Sequence, residues 1–254
     1  MQIISVNIGQ AQPLADAKAA GVTGIYKRAV DAPVFVDDLG LRGDAICDTE
    51  NHGGVDQAVY IYGTPDYAWW AAALERELAP GTFGENLTIT ELESGQMNIG
   101  DRLRIGVVTL EITAPRVPCV TLARRMDDPA FLKRFRAAER PGVYCRVIQG
   151  GMIQVGATVL HEPYQGEPIS ISEMVRDFFA GAYDEATLRR YLAAPIAIRA
   201  RMDKEQQLQA LISETVNGDV WRFSIKQPFH RLPNHSFRHH DHGFADDGAL
   251  RDVA

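Results

Sequence analysis

A cysteine at the end of a strand-like segment is the residue of this chain best placed to do chemistry. Cys119 follows residues 113–118, which read Thr-Ala-Pro-Arg-Val-Pro. Each proline favours extended backbone at the residue before it and lacks the N–H that a sheet ladder needs. We therefore expect a sheet strand to end here and to present the thiol on a stiff, exposed loop. Arg116 could stabilise a thiolate, an anion or a phosphate nearby.

Two glycine-containing loops could add polar groups to a cleft. Residues 51–56 read Asn-His-Gly-Gly-Val-Asp; His52 offers a donor or acceptor, and glycine at position 53 lets the backbone approach a ligand closely. Residues 83–87 read Phe-Gly-Glu-Asn-Leu, which places the amide of Asn86 at a strand entrance. Each loop reads equally well as a plain turn before a strand.

Two adjacent cations lie in the strand-like segment 24–28. Because successive strand residues point to opposite faces, at most one of Lys27 and Arg28 can face a given pocket. The alternative is a solvated strand without a binding role.

Other catalytic motifs are absent from the sequence. It contains no Gly-x-Gly-x-x-Gly after a strand, no P-loop, no His-Glu-x-x-His and no Gly-x-Ser-x-Gly, which argues against nicotinamide, nucleotide triphosphate and common hydrolase chemistry. A cysteine nucleophile with His52 as its base stays open, because sequence does not show whether His52 and Cys119 meet.

Composition sets broad limits. The chain has 254 residues, 46% of them hydrophobic, a net charge of −7 and a pI near 5.5, and an acidic chain argues against general nucleic-acid binding. The N-terminus lacks a secretory pattern and no apolar run is long enough for a membrane span, so we expect a cytoplasmic protein. Three widely spaced cysteines predict neither a disulfide framework nor a zinc site, and Cys47 and Cys145 read as packing residues.

The elements that must position these residues are mostly short strands. Runs of β-branched and aromatic residues separated by Gly, Pro and Asp predict a mostly β fold with a closed or partly closed barrel. The predicted strands are 3–8, 24–29, 33–36, 58–62, 86–89, 102–105, 107–113, 142–148 and 157–160. Two helices interrupt them: one begins at Thr64 and ends before Pro80, and another begins near Asp128.

Composition changes after Pro163, and three domains are predicted. Residues 1–165 form the β-barrel domain, 166–217 a three-helix appendage, and 218–254 a C-terminal extension that we expect to be disordered. Ser170 and Glu173 form a capping box for the first appended helix, and Asp184 caps the second. Five of the seven histidines fall in the extension, without a regular metal-ligand frame: His230, His235, His239, His240 and His242.

Five motifs in order resemble one known family, the MOSC-domain proteins, named after the C-terminal domain of molybdenum cofactor sulfurase, and in particular its YiiM-like branch. The motifs are Gly-Leu-Arg-Gly-Asp at 40–44, His-Gly-Gly-Val-Asp-Gln-Ala-Val at 52–59, Phe-Gly-Glu-Asn-Leu at 83–87, Ile-Gly-Asp at 99–101 and Pro-Arg-Val-Pro-Cys at 115–119. The three-helix appendage is similar to that branch as well, whereas the His-rich tail departs from it.

This resemblance implies a MOSC-type β-barrel that binds the molybdenum cofactor (molybdopterin with Mo) in a positively lined cleft. Cys119 would be the thiolate ligand of the metal, consistent with the affinity of soft sulfur for transition metals. Arg116 and Lys27 would hold the cofactor phosphate, helped by the residues Arg28, His52, Gly53 and Asn86. The implied catalytic residues are Cys119 and His52.

The implied activity is the reduction of N-hydroxylated compounds, such as N-hydroxylated purine bases, to amines. Electrons would come from a separate flavin or iron–sulfur reductase, because this chain has no flavin or nicotinamide motif. The proton donor stays open among His52, Glu85 and water bound to the cofactor. Neither a nucleic acid nor a membrane is expected as a partner, and homodimer formation is left open.

Two other functions compete with this one. A sulfur carrier would hold a persulfide on Cys119 for delivery to a metal centre, and it needs an exposed thiol of low pKa but no phosphate pocket. A binding module would dock partners through the three-helix segment and would bury Cys119.

Overall fold

The computed structural model describes residues 1–14, 21–49 and 52–218, with side chains described up to residue 213. Residues Met1–Glu214 form one compact unit, and a second unit begins at Thr215. The predicted C-terminal extension, with its five histidines, lies outside the described residues. The domain boundary predicted at residue 165 stays a prediction.

The described residues form thirteen strands and six α-helices. The strands are β1 Ile3–Ile8, β2 Gln12–Pro13, β3 Val22–Thr23, β4 Arg28–Ala29, β5 Val34–Asp37, β6 Gly40–Leu41, β7 Val59–Gly63, β8 Leu87–Ile89, β9 Arg102–Ile105, β10 Val108–Pro115, β11 Val143–Gln149, β12 Gly151–Ile153 and β13 Leu160–Glu162. The helices are α1 Thr64–Leu74, α2 Val120–Met126, α3 Phe131–Ala138, α4 Ile171–Ala180, α5 Glu185–Ala193 and α6 Ile198–Gly218.

Eight of the strands form one mixed sheet, in the order β13-β9-β10-β11-β7-β8-β1-β4. Most neighbours are antiparallel, but β7 and β8 are parallel, because α1 and the loop after it carry the chain back to the same end of the sheet. Smaller sheets, β12-β5-β6 and β2-β3, lie outside this ladder. The predicted mostly β fold is therefore present as a mixed sheet with helices.

The predicted closed barrel is not what the described residues form. The ladder ends at β13 on one side and at β4 on the other, and an isolated bridge between Gln2 and Thr158 joins the start of β1 to the segment before β13. The outer edge of β1 is divided between this bridge and the two-residue strand β4, so no continuous ladder closes the sheet. Short strands separated by turns look the same in sequence in both arrangements, which is why the pattern did not distinguish them.

Two buried clusters hold the unit together. The larger lies along the main sheet and extends to Ile171 and Met174 of α4 and Tyr191 of α5. The second, which we call the aromatic cluster, is made of these residues: Ile25, Tyr60, Tyr62, Tyr67, Trp70, Phe83, Leu122, Ala123, Met126, Phe131, Phe135 and Tyr144. Cys119 packs against the aromatic cluster, so the end of β10 and the helices α1, α2 and α3 share one apolar support.

The helices correct two predictions. Helix α1 ends at Leu74, where Glu75 adopts a left-handed conformation, and so does not continue to the residue before Pro80. Leu78, which falls within the predicted helix, packs on the aromatic cluster from the following loop. Helix α2 was not predicted, because a proline-rich loop was expected to continue past Cys119.

The predicted N-cap side chains of the appended helices are confirmed, but the Glu173 carboxylate of the predicted capping box pairs with Arg190. The Glu173 amide donates to Ser170 Oγ at 3.2 Å, and the Thr187 amide donates to Asp184 Oδ1 at 2.8 Å. In the part of the chain that the structure describes, no helix is both long and apolar enough to span a membrane.

Candidate active site

The candidate site is built where β10 ends and α2 begins. Cys119 is the N-cap of α2, with extended backbone angles (φ −125°, ψ 163°), and its side chain is partly exposed. Arg116 turns back under the loop: one guanidinium nitrogen donates to the Phe83 carbonyl at 2.7 Å, and the other lies 3.9 Å from Cys119 Sγ. The predicted pairing of this arginine with the thiol is therefore present.

The thiol of Cys119 has a lowered pKa. Burial by itself raises this pKa, but the hydrogen bond from His52, the positive charge of Arg116 and the Leu122 amide outweigh burial and bring it to about 6. Cys119 is therefore mostly thiolate at neutral pH, the form that attacks electrophiles and binds metals. By contrast, burial raises the pKa of the Cys145 thiol, and burial and the charge of Asp44 raise that of Cys47.

Arg116 is a buried cation with a donor left over. Its side chain is only 5% exposed, and its guanidinium lies over the Tyr60 ring at 5.0 Å from the centroid. Its Nε is buried and has no hydrogen-bond partner among the described residues. Because an unpaired buried donor is costly, Arg116 is suited to an anionic ligand at this position.

Lys27 belongs to a buried network centred on Asp44. Lys27 Nζ donates to Asp44 Oδ2, Asn86 Nδ2 donates to the same oxygen at 2.9 Å, and the Gly9 amide donates to Asp44 Oδ1 at 2.7 Å. Burial lowers the pKa of Lys27, and the nearby charge of Arg116 lowers it further, against the opposing effect of Asp44. Asp44 was not among the predicted site residues, although it closes the 40–44 motif that the sequence contains.

His52 and Gly53 reach the site on the loop before β7. His52 hydrogen-bonds to Cys119, and its amide donates to the Asp48 carbonyl at 2.9 Å. Gly53 has φ +76°, and a Cβ at this position would lie 2.9 Å from the Ile46 side chain. Glycine is thus required for the loop to fold closely over Ile46, and that fold carries His52 to the thiol.

Two predicted residues take other positions. Arg28 is solvent-exposed on β4, whereas the Lys27 side chain is 8% exposed, as their alternation predicts. Glu85 is fully buried and its Oε1 accepts hydrogen bonds from the Tyr67 hydroxyl, the Gly81 amide and the Thr88 hydroxyl. Burial raises the pKa of Glu85 against these bonds, and the contacts make it a support for the 79–85 loop.

The structure thus brings together Cys119, Arg116, His52, Lys27 and Asn86. The described residues contain no group of three or more His, Cys, Asp or Glu that could hold a metal ion. A thiolate beside the unpaired Nε of the Arg116 cation fits a metal that arrives with most of its ligands on an anionic organic cofactor.

Comparison with known proteins identifies a family model and several relatives. The MOSC domain model matches residues 48–160, a family associated with the molybdenum cofactor. An uncharacterised protein, YflK of Bacillus subtilis, is 33% identical over 157 residues, which cover 62% of this chain and 71% of that protein. Protein YiiM of Escherichia coli is 26% identical over 195 residues, 75% of this chain and 85% of that protein.

A third relative is longer. A protein of Gibberella moniliformis named as a reductase is 36% identical over 148 residues, which are 56% of this chain but only 26% of that protein.

Solved structures share the fold. The crystal structure of YiiM from Geobacillus stearothermophilus has a TM-score of 0.68 at 24% identity and covers 82% of this chain and 98% of that one. That of YiiM from Escherichia coli has a TM-score of 0.64 at 22% identity, over 83% and 94% of the two chains. The resemblance inferred from five motifs is confirmed: this chain belongs to the MOSC-domain proteins and is YiiM-like.

Proposed function

We propose that this chain is a molybdenum-cofactor-dependent reductase of N-hydroxylated compounds, including N-hydroxylated purine bases. The observation that carries the proposal is the Cys119 thiolate held beside the unpaired Nε of buried Arg116. In the reaction two electrons break the N–O bond, one proton goes to the nitrogen to give the amine, and one proton goes to the departing hydroxyl, which leaves as water. A separate flavin or iron–sulfur reductase supplies the electrons.

The residues present fit the cofactor. Cys119 would bind the metal, and the donors of Arg116, Lys27 and Asn86 would hold the phosphate of the pterin. Gly53 stays a predicted contact of the cofactor, and Arg28 stays a prediction from the family resemblance, although it is solvent-exposed on β4. When bound, the cofactor supplies a two-electron redox centre.

The chain itself supplies orientation and a proton. Asp44 fixes Lys27 and Asn86 relative to each other through one carboxylate oxygen. His52 is the proton donor that we favour, because its imidazole already reaches Cys119 while Glu85 Oε1 already accepts three hydrogen bonds from the chain. Burial keeps the pKa of Tyr60 and that of Tyr144 raised, so both rings form an uncharged wall that excludes water.

The sulfur carrier is the second candidate. A partly exposed thiol with a pKa of about 6 is what a persulfide carrier needs. A carrier has no use for the buried cation Lys27 or for the unpaired Nε of Arg116, which is why we favour the reductase.

The decisive experiment measures molybdenum and pterin in protein purified from a host that makes the cofactor. We expect near-stoichiometric amounts in the wild type, loss of the metal in Cys119→Ala, and no loss in the control Cys47→Ser, whose thiol has a raised pKa. The loaded wild type should reduce N-hydroxylated purines with reduced methyl viologen as electron source. Absence of molybdenum and pterin, with sulfane sulfur on Cys119, would instead establish the carrier.

A further inference from the structure

One buried tyrosine beside the candidate site has a hydroxyl group that the fold does not use. Tyr144 lies on β11 and is only 8% exposed, and the hydrogen bonds that it forms with the described residues use its backbone alone. The hydroxyl of each other buried tyrosine in the described chain donates to a partner within the protein; these residues are Tyr60, Tyr62, Tyr67 and Tyr191. Because a buried tyrosine hydroxyl normally finds a hydrogen-bond partner, the exception points to a partner outside the chain.

The sheet places Tyr144 in the wall of the candidate site. In the sheet register it lies opposite Ala114 of β10 on one side and Tyr60 of β7 on the other, and residues that lie opposite each other in antiparallel strands share one face. The ring centroids of Tyr144 and Tyr60 are 4.9 Å apart. The Arg116 guanidinium lies 5.0 Å from the Tyr60 centroid and 3.9 Å from Cys119 Sγ. Tyr144 thus shares one face with the groups that surround the thiol.

The Tyr144 hydroxyl is open to a ligand and keeps its proton. Among the described residues, the fully buried side-chain nitrogens and oxygens that lack a partner belong to Gln57, Arg116, Arg125 and Arg146. The exposed part of Tyr144 therefore includes its hydroxyl oxygen. Burial raises the pKa of Tyr144, the positive charge of Arg116 lowers it, and the Cys119 thiolate raises it again. The hydroxyl is therefore an uncharged hydrogen-bond donor at neutral pH, and it is close enough to the thiolate to feel its charge.

We propose that the Tyr144 hydroxyl binds the substrate, as a hydrogen-bond donor to the oxygen of its N–O group. The proposal rests on the reductase function proposed above. A phosphate is charged and would be bound by Lys27 and Arg116, whereas an uncharged donor suits an oxygen that becomes negative only as the N–O bond breaks. The reacting group must approach the metal that Cys119 would bind, so a donor close to this thiolate is suited to that oxygen. Tyr144 keeps its own proton, and the proton that turns the departing hydroxyl into water comes from His52.

The first test asks whether the fold needs this hydroxyl. Tyr144→Phe removes only the oxygen, and the control Tyr62→Phe removes a hydroxyl that donates to the Arg140 carbonyl and accepts from Trp70 Nε1 at 2.8 Å. In urea unfolding of the full-length protein, we expect the midpoint of Tyr144→Phe to be at or above that of the wild type and the midpoint of Tyr62→Phe to be lower. A lower midpoint for Tyr144→Phe would mean that its hydroxyl has a partner within the fold, and the proposal would be wrong.

Binding is measured on the oxidised protein loaded with cofactor, which cannot turn over without an electron source. The two probes are 6-N-hydroxylaminopurine and adenine, which differ only in the oxygen on the exocyclic nitrogen, and the method is isothermal titration calorimetry. We expect Tyr144→Phe to weaken the binding of 6-N-hydroxylaminopurine roughly two- to tenfold and to leave the binding of adenine unchanged, while Tyr62→Phe changes neither. Equal binding of the N-hydroxylated base by wild type and Tyr144→Phe would overturn the proposal.

Turnover and cofactor content complete the test. With reduced methyl viologen as electron source, the kcat of Tyr144→Phe should fall roughly ten- to hundredfold, while its molybdenum and pterin content stays at the wild-type level. Loss of the cofactor in Tyr144→Phe would mean that the hydroxyl holds the cofactor and not the substrate, and an unchanged kcat would mean that it does not touch the reacting group; either result overturns the proposal. A wild type without molybdenum and pterin would refute the reductase function itself, and with it the substrate assigned to Tyr144.

Discussion

Replacing His52 by alanine should raise the pKa of the Cys119 thiol. The hydrogen bond from His52 is the largest of the effects that lower this pKa, and a hydrogen bond to a charged group contributes about 1.5–3 kcal/mol. Since 1.36 kcal/mol corresponds to one pKa unit, the pKa should rise from about 6 to roughly 7–8. At pH 7 the thiolate fraction should fall from about 90% to roughly 10–50%.

The assay is the rate of alkylation by iodoacetamide between pH 5 and 9, in a Cys47→Ser background so that the exposed reactive thiol is Cys119. Cys145 is buried and its pKa is raised, so it should contribute little. The midpoint of the rate against pH should lie near 6 for the wild type. For His52→Ala it should lie about one to two pH units higher. A midpoint that does not move on losing the imidazole would refute the role given to His52.

Stability gives an independent check with a fixed sign. A thiol whose pKa is lower in the folded state stabilises the fold at pH values above its unfolded pKa, and this contribution is lost as pH falls through the folded pKa. The difference in free energy of unfolding between wild type and His52→Ala should therefore be greatest near pH 9 and shrink toward pH 6. A difference that is independent of pH would mean that His52 acts through packing alone.

Two further predictions concern the support of the site. Asp44→Asn should lower the free energy of unfolding in urea by about 3–5 kcal/mol, because it leaves the buried Lys27 ammonium without its counter-charge. The control is Glu185→Gln in the exposed pair of Arg189 and Glu185, for which we expect a loss of less than about 1 kcal/mol. Equal losses in the two variants would contradict the reasoning. Gly142→Ala should cost about 2–5 kcal/mol, since Gly142 has φ +69° and a Cβ there would lie 2.6 Å from the rings of Tyr60 and Tyr62. The control is Gly106→Ala, where φ is +59° but no atom lies within 4 Å of the new Cβ. It should lose only the stability that backbone strain costs, about 1–2 kcal/mol. Comparing the thermal unfolding of the two variants separates the cost of backbone strain from the cost of steric overlap.

Local rules accounted for most of the elements. The strands predicted at 3–8 and 102–105 match the observed bounds of β1 and β9, and the side chains of Ser170 and Asp184 marked the starts of α4 and α5. The early end of α1 at Leu74 was missed because its last turn is closed by Glu75 in a left-handed conformation, a position where glycine is the usual signal. Helix α2 was missed because Pro118 suggested continued loop, while burial of Leu122 and Met126 in the aromatic cluster stabilises a helix there.

Some features of the candidate site could also be predicted from local sequence, and others could not. The thiol of Cys119, its nearby Arg116 and the opposite faces of Lys27 and Arg28 follow from residue type and spacing, because these relations span only a few residues. The sequence did not indicate that Asp44 would join Lys27 to Asn86. Nor did it indicate that the Glu85 carboxylate would accept hydrogen bonds from Tyr67, Gly81 and Thr88. Those contacts connect separate strands and loops of the sheet, and neither partner carries a local sign of the other.

By itself the sequence determined the family, the thiol and the cations available to it, because motifs and residue chemistry are local properties. Only the tertiary structure decided that the main sheet stays open, that His52 reaches Cys119, and that a buried arginine keeps an unpaired donor beside the thiolate. These features depend on long-range packing and on burial, which change hydrogen-bond partners and pKa values without leaving a pattern along the chain.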